Sequence, residues 1–208
     1  WEIVPAGLSP DAIVEIKPLN GQQAPVRVPA EQPTVQAGLL AANQIDASEV
    51  VLSAGTHALT TPVSVAGRKL RGAGIGLTIL QLPATTSASI SMFGGVMQDM
   101  TIVKRTSAPS TEIAEGTNRI RRVEFATAPG TSAGSLLVVS EADQPTVIES
   151  CVFHSSTLAI DVSPIRAGNG SLTVANSIFR DLGAVSFGNQ FLPRMTFSNC
   201  VITRCGSP

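Results

Sequence analysis

At 208 residues the chain is long enough for one substantial core and too short for two large ones. Its 14 Lys and Arg against 15 Asp and Glu give a formal net charge of −1, which sets up no field to attract nucleic acid or an anionic membrane surface. No apolar run approaches the roughly 18 residues of a membrane span, and a charged fraction of 14% favours extended sheet with small-residue turns over amphipathic helices.

In chain order, residues 1–32 read as an extended leader or attachment segment, with Ile13–Lys17 and Val26–Val28 on either side of the turn signal Asn20-Gly21. The first residues lack the basic-then-apolar order of a signal peptide. A chain that opens on Trp1 and closes on Cys205-Gly206-Ser207-Pro208 reads as a processed product or an excised fragment. After Pro33, apolar residues at 35, 39, 40 and 42 predict a short helix over 34–43 that lies across the first winding of the remainder as a cap. The glycine-rich stretch Gly72–Gly76 lacks the Gly-Lys-Ser/Thr ending of a phosphate loop and is read as a turn.

From there the chain repeats. Five segments, Met97–Ile102, Ile120–Phe125, Ile148–Phe153, Val174–Phe179 and Phe197–Ile202, share an apolar residue, an outward residue, a polar turn residue and an alternating strand. Their turn positions Asp99, Arg122, Ser150, Asn176 and Asn199 are spaced by 23, 28, 26 and 23 residues, and Leu70-Arg71-Gly72 is an earlier member. Periods of this size with Gly, Pro or Ser breaks fit one winding of a three-sided β-helix. Side chains alternate between the two faces of a strand, so the sequence predicts three interior columns. One holds Leu70, Met97, Ile120, Ile148, Val174 and Phe197; a second holds Ile102, Phe125, Phe153, Phe179 and Ile202; between them stand Met100, Val123, Cys151, Ser177 and Cys200. The expected fold is therefore all-β, a right-handed parallel β-helix of about six windings over residues 33–208 with a short N-terminal capping helix.

Three motifs carry a family resemblance. Thr34–Ala42, then Val50-Val51-Leu52-Ser53-Ala54-Gly55-Thr56-His57-Ala58-Leu59, then Leu70-Arg71-Gly72-Ala73-Gly74 resemble the opening of the pectin-lyase superfamily, whose members cap the solenoid with a short helix before a first winding of this type. The resemblance spans about residues 33 to 205. It implies the fold and leaves function open, because that solenoid hosts lyases, hydrolases, epimerases, adhesins and phage tailspikes.

The chemistry is sparse. There is no tyrosine, there are two histidines, and the hydrolase signatures Asn-Thr-Asp, Gly-x-Asp, His-Gly and Arg-x-Lys do not occur. Glycoside hydrolysis needs carboxylates roughly 5 to 10 Å apart; on an enzymatic reading the groups at hand are Asp99, Glu124, Glu149, His154 and Arg180. His154 is expected to point outward one winding from Arg180, and Glu149 to pair with Arg121 across windings. The polar turn column, with Asn176 above Asn199, is expected to serve the fold. The acids, Glu112, Glu115, Glu141 and Asp143 included, form no calcium motif, so neither metal nor cofactor is expected. Three cysteines fit no paired framework and are read as small buried residues.

One outward strip breaks the polar pattern. Val152, Ile178 and Val201 fall on successive windings where Thr101 and Glu124 stand earlier, so either loops of the chain or a lateral subunit interface, as in a homotrimer, is expected to cover them. The leading expectation is a non-catalytic structural or carbohydrate-binding module of a phage particle, such as a tailspike, or of a bacterial surface, outside the cell. Its partners would be a polysaccharide or another virion or surface protein. The alternatives are a polysaccharide lyase or glycoside hydrolase, and a protein-docking scaffold.

Overall fold

The computed structural model describes residues 23–83, 90–131, 134–140, 144–162, 170–184 and 194–206. The leader segment Ile13–Lys17, Asn20-Gly21, Glu141 and Asp143 lie outside them. Seventeen strands and one helix follow in chain order: β1 (Val26–Val28), α1 (Val35–Gln44), β2 (Glu49–Leu52), β3 (Gly55–Ala58), β4 (Val63–Ala66), β5 (Lys69–Arg71), β6 (Thr78–Gln81), β7 (Ile90–Phe93), β8 (Val96–Lys104) and β9 (Thr111–Ile113). The second half holds β10 (Asn118–Thr127), β11 (Ser135–Val139), β12 (Thr146–Glu149), β13 (Val152–Val162), β14 (Ser171–Ala175), β15 (Ile178–Ala184), β16 (Arg194–Ser198) and β17 (Val201–Thr203).

Every pairing among them is parallel, and each joins a strand to its counterpart one winding away. The result is a solenoid of about six windings with three sides. The first side stacks β1, β2, β5, the start of β8 and of β10, β12, β14 and β16, in the register Val26, Val50, Leu70, Met97, Ile120, Ile148, Val174, Phe197. The second stacks β3, β6, the ends of β8 and β10, β13, β15 and β17, through Leu80, Ile102, Phe125, Phe153, Phe179 and Ile202. The third carries β4, β7, β9, β11 and the end of β13. Val26–Val28, in the stretch read from sequence as leader, thus extends the first interior column upstream of the helix.

The columns are the core. Leu70, Met97, Ile120, Ile148, Val174, Ile102, Phe125, Phe153 and Phe179 are all fully buried, as are Met100, Val123, Cys151 and Ser177 between them. The rings of Phe125 and Phe153 stack with centroids 4.9 Å apart and planes 4° apart, and those of Phe153 and Phe179 at 5.1 Å and 5°. This parallel stacking follows from the strand spacing of about 4.8 Å, and each such pair contributes about 0.5–1.5 kcal/mol beyond burial. The last winding departs from the expectation. Phe197 and Ile202 hold their register but are 39% and 59% exposed, because among the described residues no further winding lies on them.

The corner between the first two sides is a left-handed residue on each winding from β8 to β17. Asp99, Arg122, Ser150, Asn176 and Asn199 have φ of 60°, 49°, 55°, 52° and 51°, a conformation that short polar side chains tolerate best. The amide of Asn199 donates to Asn176 Oδ1 at 3.3 Å, so the expected column of turn side chains is physically linked.

At the N-terminal end α1 is opened by Thr34, whose Oγ1 accepts from the Ala37 amide at 3.1 Å. The helix buries Val35, Gly38, Leu39 and Ala42. Leu40, placed on the packing stripe by sequence, is 60% exposed, and Gly38 takes its place. A Cβ at Gly38 would stand 2.6 Å from a methyl of Val28, so only glycine lets the helix settle so closely on β1.

Candidate functional site

Alternation along the second side turns two columns of side chains outward. The first runs Ile79, Thr101, Glu124, Val152, Ile178, Val201; the second runs Gln81, Val103, Ala126, His154, Arg180, Thr203. Glu124 is the acid of the first column, and groups from three other places converge on it. Thr101, one winding earlier, donates its hydroxyl to Oε2 at 2.9 Å, and is itself bonded by the Gly76 amide at 2.9 Å. His154, one winding later in the second column, sets Nε2 3.0 Å from Oε1, while its Nδ1 meets Ser155 Oγ at 2.9 Å. Arg180, a winding further on, brings Nη2 to 3.8 Å from the same oxygen. Small Ala126 and branched Val152 flank Glu124 in the register, leaving room for its side chain to reach diagonally toward His154.

Of the five sequence candidates, then, three meet and two do not. Asp99 sits on the first corner and is gripped by Arg122 through both carboxylate oxygens. Glu149 lies on the first side, where Arg121 Nε stands 3.1 Å from Oε2. Three further groups complete the neighbourhood, of which Asp181 is the one the sequence marks as a carboxylate on a different part of its winding from Asp99. Ser155, Asp181 and Arg204 form a second left-handed corner, with φ of 59°, 53° and 48°, just beyond His154 and Arg180. Arg204 binds Asp181 through Nε at 2.6 Å and Nη2 at 2.9 Å. The signal was present: each of the three lies five residues after Ser150, Asn176 or Asn199.

The electrostatics restrict what this surface can do. A general acid on a glycosidase must hold its proton near neutrality, which requires a raised pKa. The Arg122 guanidinium holds the Asp99 carboxyl below its ordinary range, and Arg204 does the same for Asp181. Glu124 has neighbours on both oxygens, but among the described residues no second carboxylate is bonded into the cluster. What the face offers is recognition: the half-exposed guanidinium of Arg180, the hydroxyl of Ser155, and the aliphatic surfaces of Ile178 and Val201, 40% and 52% exposed, beside them.

Elsewhere the chemistry is committed to structure. A groove of about 370 Å³ between α1 and β4 is floored by Leu39 and Val63, but its Arg68 is occupied by Ala47 O, Asn43 Oδ1 and Asp46. Lys104, unnoticed in the sequence, is fully buried with Nζ on the Ser135 carbonyl at 3.0 Å, and desolvation pulls its pKa down to about 8. The three cysteines are free; burial pushes the Cys151 thiol up to about 12, whereas Cys200 and Cys205 are partly buried. Among the described residues no three His, Cys, Asp or Glu side chains are grouped to hold a metal, and no helix is long and apolar enough to cross a membrane.

No protein family and no curated protein matches the chain. Solved structures do. The catalytic domain of a GH87 alpha-1,3-glucanase variant in complex with tetrasaccharides superposes with a TM-score of 0.60 at 12% identity over 94% of this chain, and a second variant with tetrasaccharides with 0.62 at 11% over 99%. The same type of domain in complex with nigerose gives 0.56 at 12% over 97%. This chain spans 33%, 41% and 37% of the length of those three. At such identities the likeness is one of fold, and the fold is the right-handed parallel β-helix of pectin-lyase-like proteins.

Proposed function

We propose that this chain is a non-catalytic, carbohydrate-binding β-helix module of a virion or cell surface, holding an extended glycan along the outer face of its second side. The observation that carries the reading is the convergence of Thr101, His154 and Arg180 on Glu124, immediately beside exposed Ile178 and Val201. A sugar presents hydroxyls at its edges and C–H groups on its faces, and such a surface meets both: planar charged groups pair with hydroxyls, aliphatic side chains take the apolar face. The arginine-paired state of Asp99 and Asp181 supports binding over hydrolysis, since a carboxyl held below its ordinary range is not poised to give a proton. The solved neighbours are carbohydrate-acting domains of the same fold, which keeps a glycoside hydrolase as the rival reading.

Calorimetric titration of the chain with neutral glucan and uronate oligosaccharides, run beside an assay for new reducing or unsaturated ends, decides between them. Binding without new ends is expected, weakened at least tenfold by Arg180→Ala and by His154→Ala. Turnover that disappears in Glu124→Gln would replace this reading with the enzymatic one. Neither binding nor turnover with any of these glycans would leave the face as a protein-docking surface.

A further inference from the structure

The first side of the solenoid carries its charge in a pattern. Its outward positions, taken winding by winding, begin with the acid Glu49 and continue with the cation pair Lys69 and Arg71. Uncharged Val96 and Gln98 follow, then a second cation pair, Arg119 and Arg121, and then the acid Glu149. Two pairs of cations therefore stand on either side of one neutral winding. At about 4.8 Å per winding the pairs are roughly 10 Å apart, a gap that long side chains can close from both directions. The strands that carry them, β5, β8 and β10, are each paired on both edges, so the arrangement lies well inside the solenoid.

The acids do not use up these cations. Glu49 Oε1 takes both Lys69 Nζ at 3.1 Å and Arg71 Nε at 2.6 Å, so one carboxylate serves two bases. Glu149 Oε2 stands 3.1 Å from Arg121 Nε, yet that nitrogen, shielded from solvent, makes no hydrogen bond. Arg119 is exposed, and its guanidinium has no ion pair among the described residues. On the adjoining corner Asp99 is held by Arg122 through both oxygens and by Gln98 Nε2 at 2.8 Å. Lys69, Arg71, Arg119, Arg121 and Arg122 against Glu49, Asp99 and Glu149 leave a local surplus of two positive charges, on a chain whose net charge is −1.

We propose that this face is an anion site, taking a doubly charged phosphate group over Val96 and Gln98, between Lys69 and Arg71 on one winding and Arg119 and Arg121 on another. The surplus matches the charge of that group. Donors reach it from two opposite directions, which suits a tetrahedral group with several oxygens better than a planar carboxylate with two. Each guanidinium can pair with phosphate oxygens two at a time. The face opens to solvent, so the phosphate is either a free ion or an ester on a larger molecule. It occupies a different side of the solenoid from the glycan face, and the assignment does not depend on what that face binds.

Calorimetric titration of the intact chain with inorganic phosphate, glucose 6-phosphate, acetate and glucose, at low ionic strength, tests this. One phosphate per chain is expected, with acetate at least tenfold weaker and glucose silent. Glucose 6-phosphate binding at least as tightly as inorganic phosphate supports the site as one for a phosphate ester, and binding of inorganic phosphate alone supports it as one for the free ion. Arg119→Gln changes an exposed, unpaired side chain; it should weaken phosphate at least fivefold and leave the thermal midpoint unchanged. Gln98→Glu puts a negative charge at the centre and should abolish binding. No binding of either phosphate, acetate as tight as phosphate, an affinity indifferent to Arg119→Gln, or binding that is kept in Arg119→Gln and lost in Arg180→Ala would each overturn the proposal.

Discussion

Lys104 is an amine in an interior position. It follows Ile102 by two residues on β8, so alternation turns it toward the core, and the chain satisfies it with one carbonyl, that of Ser135. On the next winding Thr127 stands beside it, with a buried hydroxyl that has no hydrogen-bond partner. Because burial disfavours the ammonium, its pKa falls from 10.5 in the unfolded chain to about 8 in the folded one. The unfolded state therefore binds the proton more tightly. Stability rises as pH climbs from about 8 to about 10.5 and is flat below, with a total span of at most about 3 kcal/mol. Lys104→Met removes the titration together with one hydrogen bond worth about 1 kcal/mol. The expected outcome is a crossing in urea denaturation, with the variant more stable than wild type at pH 7 and less stable above pH 10.5. Parallel stability curves across that range would mean that Lys104 is solvated.

Corners and columns determine the element scale. At Asn176, φ of 52° places the backbone where an L-residue with an ordinary Cβ is strained by about 1–2 kcal/mol, so Asn176→Ala is expected to cost about that much while Asn176→Gly costs less. Phe153 is stacked on both faces, and Phe153→Ala should cost about 3–5 kcal/mol, more than the same change at Phe197 on the open winding; thermal melts of the four variants check both orderings. These are the features that the sequence made legible. The first corner and the three interior columns could be read because strand alternation and the repeat of apolar residues around one polar turn are local signals. The capping helix was legible for the same reason, but the face it packs was misjudged at Leu40, since close approach of α1 to Val28 rewards glycine over leucine. The cluster on Glu124 was legible only as separate residues. Its contact with His154 runs diagonally between two columns and its contact with Arg180 skips a winding, so both depend on side-chain reach across the register. The second corner was missed because its residues, Ser155, Asp181 and Arg204, share a backbone conformation without sharing chemistry.

For the whole molecule, stability accumulates by stacking. Backbone pairing joins only adjacent windings, with the approach of Arg180 to Glu124 reaching one further, so the free energy is close to a sum of winding and interface terms. Opening should then proceed from the C-terminal end, because α1 secures the other. Amide hydrogen exchange is expected to run fastest in β16 and β17, slower in β14 and β15, and slowest in β8 and β10, where Phe125 and Met100 are fully buried. A single exchange rate shared by all windings would show that the solenoid unfolds as one cooperative unit, and that nearest-neighbour stacking does not describe it.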